Sequence, residues 1–360
     1  MSASDSLPDQ QPSSPDPQRA QYAPDIEARF LAAYERDQAA FVKPWMVSWD
    51  YIEGRQRRGM RFAEDMPNDF ERYAGPKDLL KWLNWIAAAP RPDYLDDARI
   101  APLVAQSRAL DETLLARNDL DFDASTYDAC IGRYNAQDFF FQNLVPAPER
   151  YPLERVLDFG AGYGRQANLW SQNEPALVYV GMDAVPLSYC LQHFYYAQLG
   201  PQLRDYALDP QGFGIEPTPG LYHLPTWRTD LLRDDFFDMI ACVQVLYEIN
   251  GQLLKHMIEV FARVLKPGGR LYIRDSEGWQ LSHSLPVDKL LRKHGFVLEL
   301  RPHVVNLQDL HGIPRVWRKA DPQVLASEQG RASAHRRRRL QDLDARFGGY
   351  GRRIGRRLRG

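Results

Sequence analysis

The chain has 360 residues, 44% hydrophobic and 26% charged, with 45 basic against 47 acidic side chains and a formal net charge of −2. Such a composition can bury a core, and the length suits one core fold with additions or two domains. Fibrous and wholly disordered classes are excluded. Cys130, Cys190 and Cys242 lie far apart with no C-x-x-C spacing, so neither a disulfide framework nor a cysteine-based zinc site is expected. No apolar run approaches the roughly 18 residues of a membrane span. The first residues lack the basic start and apolar stretch of a secretory signal. A soluble protein of a reducing compartment, the cytoplasm, is the expectation. The charge is uneven: residues 331–360 hold eleven Arg, no Lys and two Asp, a net +9, which leaves −11 on the preceding 330 residues.

In chain order, residues 1–24 carry five prolines among Ser, Asp and Gln, a composition that reads as disordered. Residues 25–140 read as a helical region. Ile26, Phe30, Ala33 and Tyr34 recur at helical spacing after Asp25, a candidate N-cap. Further helices are predicted over 78–88, which is apolar nearly all round, and over 100–116. This region suits a lid, a substrate-shaping element or a homodimer interface, and its aromatics (Trp45, Trp49, Tyr51, Trp82, Trp85) fit core packing or a glycan surface.

After Pro152 the grammar changes. Strands are predicted at 155–159, 177–183, 221–227, 237–243 and 269–275, with helices at 165–171, 187–199, 252–264 and 286–294 between them. Alternation of this kind implies an α/β fold, a mostly parallel sheet with helices on both faces. Runs 296–305 and 314–318 suit an antiparallel hairpin at the sheet's end. The domain spans 141–320, and 321–360 is a basic tail.

The most informative stretch is Val156-Leu157-Asp158-Phe159-Gly160-Ala161-Gly162-Tyr163-Gly164-Arg165, a strand, an acid, three alternate glycines and a helix start. Glycines let the chain turn sharply and let a ligand approach main-chain N–H groups. Asp158 at the strand end can accept a hydrogen bond from a ligand ammonium. The D-x-G-x-G-x-G spacing differs from the G-x-G-x-x-G dinucleotide fingerprint. A second strand ends in Asp183, where a carboxylate can take both hydroxyls of a ribose. Arg228-Thr229-Asp230-Leu231 follows the third strand, Phe237-Asp238-Met239-Ile240 opens the fourth, and Leu265-Lys266-Pro267-Gly268-Gly269 leads into the fifth.

With these residues in combination, about 150–320 resembles the class I S-adenosylmethionine-dependent methyltransferases. The resemblance implies a Rossmann-like, mostly parallel seven-stranded sheet and S-adenosylmethionine as cofactor. It implies that Asp158, Gly160, Ala161, Gly162 and Gly164 hold the methionine moiety, that Asp183 and Ala184 face the ribose, that Asp230 and Leu231 face the adenine, and that Gln244 lies beside the sulfonium. Three shorter stretches, Tyr134–Asn143, Asp183–Tyr196 and Val243–Glu248, are similar to a bacterial group of sugar O-methyltransferases, which implies a hydroxyl acceptor on a sugar or sugar-bearing small molecule or glycan.

A hydroxyl has a high pKa and benefits from a general base in reach. Candidates at the ends of strands four and five are Tyr247, Glu248, Asp275 and Glu277, with His283 and His311 in later loops. Each has a plain alternative: Glu248 as the cap of a helix near Asn250, Asp275 as an N-cap or solvated acid, the histidines as ordinary loop residues, Arg165 as a solvated first-turn cation rather than a partner of the cofactor carboxylate. The Arg-rich tail suits a solvated segment, docking onto the acidic body or a partner, or nucleic acid. It leaves an RNA-modifying methyltransferase as one alternative; a catalytically silent scaffold is another.

Overall fold

The computed structural model describes residues 22–46, 73–87, 97–143, 153–200, 203–275, 285–302 and 312–321. The first 21 residues, the Arg-rich tail, and Trp49, Tyr51, Glu277, His283 and His311 lie outside the described residues. The elements in chain order are α1 (Ile26–Asp37), α2 (Asp78–Ala87), α3 (Asp97–Ala116), α4 (Ala124–Ala129), α5 (Ile131–Asn143), β1 (Arg155–Phe159), α6 (Ala167–Asn173), β2 (Val178–Asp183), α7 (Pro186–Leu199), β3 (Leu203–Asp205), β4 (Gly220–Pro225), a single 3-10 turn (Thr229–Leu231), β5 (Phe237–Val243), α8 (Gly251–Val264), β6 (Leu265–Asp275), α9 (Val287–Lys293), β7 (Phe296–Leu300) and β8 (Ile313–Lys319).

The strands form one eight-stranded sheet in the order β3-β4-β2-β1-β5-β6-β8-β7. All neighbours pair in parallel except β6–β8 and β7–β8, so the last two strands are the antiparallel end expected from the sequence. The sheet has one strand more than the seven expected. The addition is β3, whose three residues are too few to show an alternation in sequence, and which pairs in parallel with the outer edge of β4.

Register assigns the faces. Leu157 pairs with Val180 and Phe159 with Met182, and Phe159 meets Phe261 of α8 edge-on at 5.3 Å. Val156 pairs with Tyr179 and Asp158 with Gly181, and Tyr179 packs on Tyr196 of α7. Alternate residues along β1 and β2 therefore serve helices on opposite faces, which is why these strands read as continuous apolar runs. At the outer edge, α1 lies on α7 through Phe30, whose ring is 4.4 Å from Tyr189 and 5.2 Å from Trp227. Asp25 occupies the N-cap position of α1, as expected, without capping through its side chain. Its carboxylate makes no cap hydrogen bond and instead pairs with Arg29 at 2.8 Å, one turn along the exposed face.

Helix α5 crosses the boundary drawn at residue 140, and it is tied to the sheet by charge. Asp138, 1% exposed, accepts from Arg274 Nε at 2.7 Å and Nη2 at 3.0 Å, from Tyr272 Oη at 2.5 Å, and from Arg165 Nη2. Burial opposes the ionisation of Asp138, yet the pull of Arg274 and Arg165 exceeds it and holds the carboxyl down at about 2. Asp138→Asn removes the buried carboxylate that Arg165 and Arg274 share. It should cost about 3–5 kcal/mol of unfolding free energy, read from urea denaturation at pH 7. Because the folded pKa is depressed, the contribution is present above the ordinary carboxylate range and fades as pH falls toward 2. The gap between variant and wild type should therefore narrow in acid.

Candidate functional site

The carboxyl ends of β1, β2, β4, β5 and β6 open on one edge of the sheet, and most of the candidate residues lie there. Gly160 and Ala161 donate their amides to Met182 O at 2.9 and 3.2 Å, which pins the glycine turn to the end of β2. Gly160 adopts φ +67, and a Cβ there would stand 2.3 Å from the Val245 side chain, so only glycine lets the β1 turn pass under the β5 loop. Gly164 closes the turn by donating to Ala161 O at 2.9 Å.

Asp158 is fully buried beneath this turn. Its oxygens accept from Gln166 Nε2 at 2.8 Å and Tyr179 Oη at 2.6 Å, and burial pushes its carboxyl up to about 7. Asp158 is thus held by protein donors under the loop. Arg165 is not the solvated cation weighed above: it is 9% exposed, bridging Asp138 and Asn135 of α5.

Asp183 ends β2. Its Oδ1 accepts from the amides of Ala184 at 2.8 Å and Val185 at 3.0 Å; its Oδ2 accepts from Gly162 N at 3.2 Å and Gln192 Nε2 at 3.3 Å. Burial is the largest influence and raises the carboxyl to about 6 despite these donors.

On the β4 side, Asp230 forms a two-pronged pair with Arg228 at 2.9 and 2.8 Å, and Leu231 donates its amide to Arg228 O. Arg228 in turn lies 4.0 Å from the Phe41 ring centroid and within 3.6 Å of Asp37, which also accepts from Tyr206 and Trp227. The segment after α1 continues to the start of α8, where Asn250 Nδ2 donates to Trp45 O at 2.8 Å. The N-terminal region therefore spans from the Asp230 turn to α8, a link no periodicity in the sequence announces.

At the fourth and fifth strand ends, Gln244 takes φ +62 and donates its amide to Arg274 O at 2.9 Å. Asp275 is 3% exposed. Its Oδ1 accepts from Val245 N at 2.9 Å, and its Oδ2 has no hydrogen-bond partner among the described residues. Burial raises Asp275 to about 7, moderated by Arg315 and the Val245 amide, while Glu248 adds to the rise. Tyr247 and Glu248 are half-buried in the same loop. Glu248 does not cap α8: that cap is Asn250, whose side chain accepts from Gln252 N and Leu253 N.

A second buried group lies under the sheet edge. Asp205 Oδ2 is 2.7 Å from both His193 Nδ1 and His223 Nδ1, and the potential ligand atoms of the three residues fall within 4.8 Å of one another. The amide of Ala23 donates to His193 Nε2 at 3.0 Å, so Nε2 is the ring's acceptor and Nδ1 faces Asp205. The group reads as a hydrogen-bonded latch between α7, β3, β4 and the chain entering α1.

With this geometry in hand, the comparisons with known proteins are informative. Residues 133–327 match the family described as Methyltransferase domain. No curated protein matches the chain. Among solved structures, it is similar to a phosphoethanolamine N-methyltransferase 2 of Haemonchus contortus bound to S-adenosylhomocysteine, at 15% identity and TM-score 0.34, covering 47% of this chain and 38% of that one. The chain thus spans well under half of that relative's length. It is also similar to an O-methyltransferase family protein of Burkholderia thailandensis, at 13% identity and TM-score 0.38, covering 68% and 70%. A third is the N-methyltransferase NodS of Bradyrhizobium japonicum WM9 with S-adenosylhomocysteine, at 13% identity and TM-score 0.37, covering 60% and 99%.

The cofactor of this family is S-adenosylmethionine, and the residues present fit it. Two buried strand-end carboxylates held above their ordinary range are stabilised by a ligand that brings ammonium and sulfonium charge and ribose hydroxyls. Binding should therefore favour ionised Asp183. The affinity for S-adenosylhomocysteine, titrated calorimetrically, should fall as pH drops through about 6, approaching about tenfold per unit where protonation of one group controls it. Asp183→Ala should weaken binding about 10- to 100-fold, the worth of hydrogen bonds to a charged group.

Proposed function

The chain belongs to the Methyltransferase domain family, and we propose that it is an O-methyltransferase whose acceptor is a hydroxyl of a sugar or sugar-bearing small molecule. The cofactor, when bound, supplies an electrophilic methyl group on a sulfonium; the protein's work is to align the acceptor and dispose of its proton.

The observation that carries the reading is Asp275. It stands at the end of β6, next to the Gln244 loop, with Oδ1 committed to the Val245 amide and Oδ2 without a partner among the described residues. A carboxyl raised to about 7 is a stronger base than an ordinary aspartate and is about half ionised at neutral pH. Oδ2 would accept the proton of an acceptor hydroxyl held against it. Arg315, whose positive charge favours the ionised form, and Glu248, whose charge opposes it, set how readily the proton is accepted and released.

The sugar reading draws on where the three short stretches fall. Tyr134–Asn143 lies within α5, which reaches the glycine loop through Asp138 and Arg165, and Gln142 joins Gln166 and Trp170. Asp183–Tyr196 contains the acid at the end of β2 together with Gln192. Val243–Glu248 is the loop on which Asp275 is fastened. All three are tied by hydrogen bonds to the loops at the carboxyl ends of the strands. The family fixes the chemistry of transfer, and the acceptor comes from these segments.

The test is transfer of labelled methyl from S-adenosylmethionine to panels of sugars and glycosides, amines, and RNA. Labelled methyl ethers on the sugar panel are expected; transfer confined to amines or to RNA would sink the hydroxyl reading. With an acceptor in hand, Asp275→Asn should lower kcat by about 10²–10⁴ while S-adenosylhomocysteine affinity stays at the wild-type value. The wild-type kcat should rise with pH through about 7 as Asp275 ionises.

A further inference from the structure

Gln192 sits in the middle of α7 and is completely buried. Its Nε2 donates to Gly162 O at 2.8 Å and to Asp183 Oδ2 at 3.3 Å. The same Oδ2 accepts the Gly162 amide at 3.2 Å, so three hydrogen bonds close a ring through the glycine turn, the β2 acid and the helix. Asp183 Oδ1 is meanwhile fixed by the amides of Ala184 and Val185. Gly162 holds φ +62, and no described residue comes within 4 Å of where a Cβ would stand, so among the described residues the peptide that Gln192 grips borders open space.

The orientation of the Gln192 amide follows from chemistry. Both neighbours of Nε2 are acceptors, so the NH2 group has to face them. That leaves Oε1 buried with no partner among the described residues. A buried carbonyl without a donor destabilises the fold, and a methionine of similar volume would fill the same space without that penalty. The two donated bonds are what the amide offers in return.

We infer that Gln192 is a cofactor-positioning residue, which locks the Gly162 peptide and the Asp183 carboxylate into one register so that the ribose side of the pocket is formed before S-adenosylmethionine enters. The inference rests on the cofactor and is independent of the acceptor. Preorganisation of this kind appears as affinity, because the ligand no longer has to order the loop. It also appears in titration. Burial raises Asp183, while its backbone donors and Gln192 lower it. The charged and titratable neighbours that sense Asp183 are Asp158 on β1 and Tyr196 on α7, with Arg165 acting on Asp158 from beyond the glycine turn. Removing the Gln192 donor should therefore move the pH midpoint of cofactor binding upward.

The experiment titrates S-adenosylhomocysteine into wild type, Q192M and Q192E between pH 5.5 and 8.5 and records thermal unfolding of each ligand-free protein. Q192M is expected to unfold no earlier than wild type, to bind about tenfold more weakly at pH 7.5, and to shift the binding midpoint upward. Q192E sets a second carboxylate against Asp183, so its deficit should be largest at high pH. It should shrink as pH falls, when the introduced carboxyl is protonated and donates in place of the lost amide. Wild-type affinity and midpoint in Q192M would overturn the inference, as would a loss that merely follows the loss of folded protein. A wild type that binds no S-adenosylhomocysteine would overturn it together with the cofactor. Failure of methyl transfer to hydroxyls leaves these titrations, and what they show of Gln192, unchanged.

Discussion

The architecture depends on one buried carboxylate that two guanidiniums share. Asp138 lies on α5, Arg165 just beyond the glycine turn and Arg274 on β6, one residue before Asp275. A buried ion group of this kind is weak evidence for stability, because desolvation consumes much of the Coulombic gain. Its value lies in register. Each partner arrives from a different part of the chain, and displacement of any one breaks buried charge-assisted hydrogen bonds. Tyr134 caps Arg274 with its ring at 4.8 Å, and Tyr272 and Asn135 complete the hydrogen bonding. The glycine turn and the strand end that carries Asp275 are thereby referenced to the same helix.

Four other buried acids obey the opposite balance. Asp111, Asp158, Asp183 and Asp275 are all raised by burial, to about 6, 7, 6 and 7. Asp111 shows that a raised carboxyl does not by itself mark a site. It is enclosed by Tyr127, Tyr195 and Asn168, and it ties α3 to α4, α6 and α7 away from the strand ends. What separates Asp158, Asp183 and Asp275 is position, each at the carboxyl end of a parallel strand, where an α/β sheet collects ligands. Asp205 is a third case. Burial opposes its charge too, but His223 and His193 outweigh it and drive the carboxyl far down, so it acts as an anchor.

Much of the cofactor side was legible in the residues. The strand cores at 155–159 and 237–243 coincide with β1 and β5, because strands buried on both faces leave uninterrupted apolar runs. Asp158 and Asp183 fall where the glycine loop predicts them. The sequence did not reveal which donors hold each acid. Gln192 follows Asp183 by nine positions, yet only the packing of α7 against β2 brings its amide to Gly162. Asp230 looked available, and its pairing with Arg228 depends on the Phe41 and Asp37 contacts from a helix almost two hundred residues earlier. Glu248 was the only helix cap the residues suggested near Asn250; the extended backbone and two accepted amides make Asn250 itself the cap. Strand β3 had no alternating pattern to read, and its place comes from pairing along β4.

The N-terminal region gives the cleft its asymmetry. Helix α1 and the residues on either side of it are fastened by hydrogen bonds at Ala23 to His193, Asp37 to Tyr206 and Trp227, and Trp45 to Asn250. All three lie on the side of the sheet edge that runs from β3 and β4 to the start of α8. The opposite side is bounded by α5, the β5 loop and the start of β8, where Asp275 Oδ2 has no partner among the described residues and Gly312 packs against the Asp275 backbone so closely that a Cβ would stand 2.0 Å from its carbonyl carbon. On the proposed reading these two sides divide the labour. The side carrying Asp230 and α1 holds the nucleoside end of the cofactor, and the side carrying Asp275 meets the acceptor. Acceptor choice then resides in α5, Tyr247, Glu248 and the turn into β8, which are the segments where a glycine loop and strand-end acids carry no information.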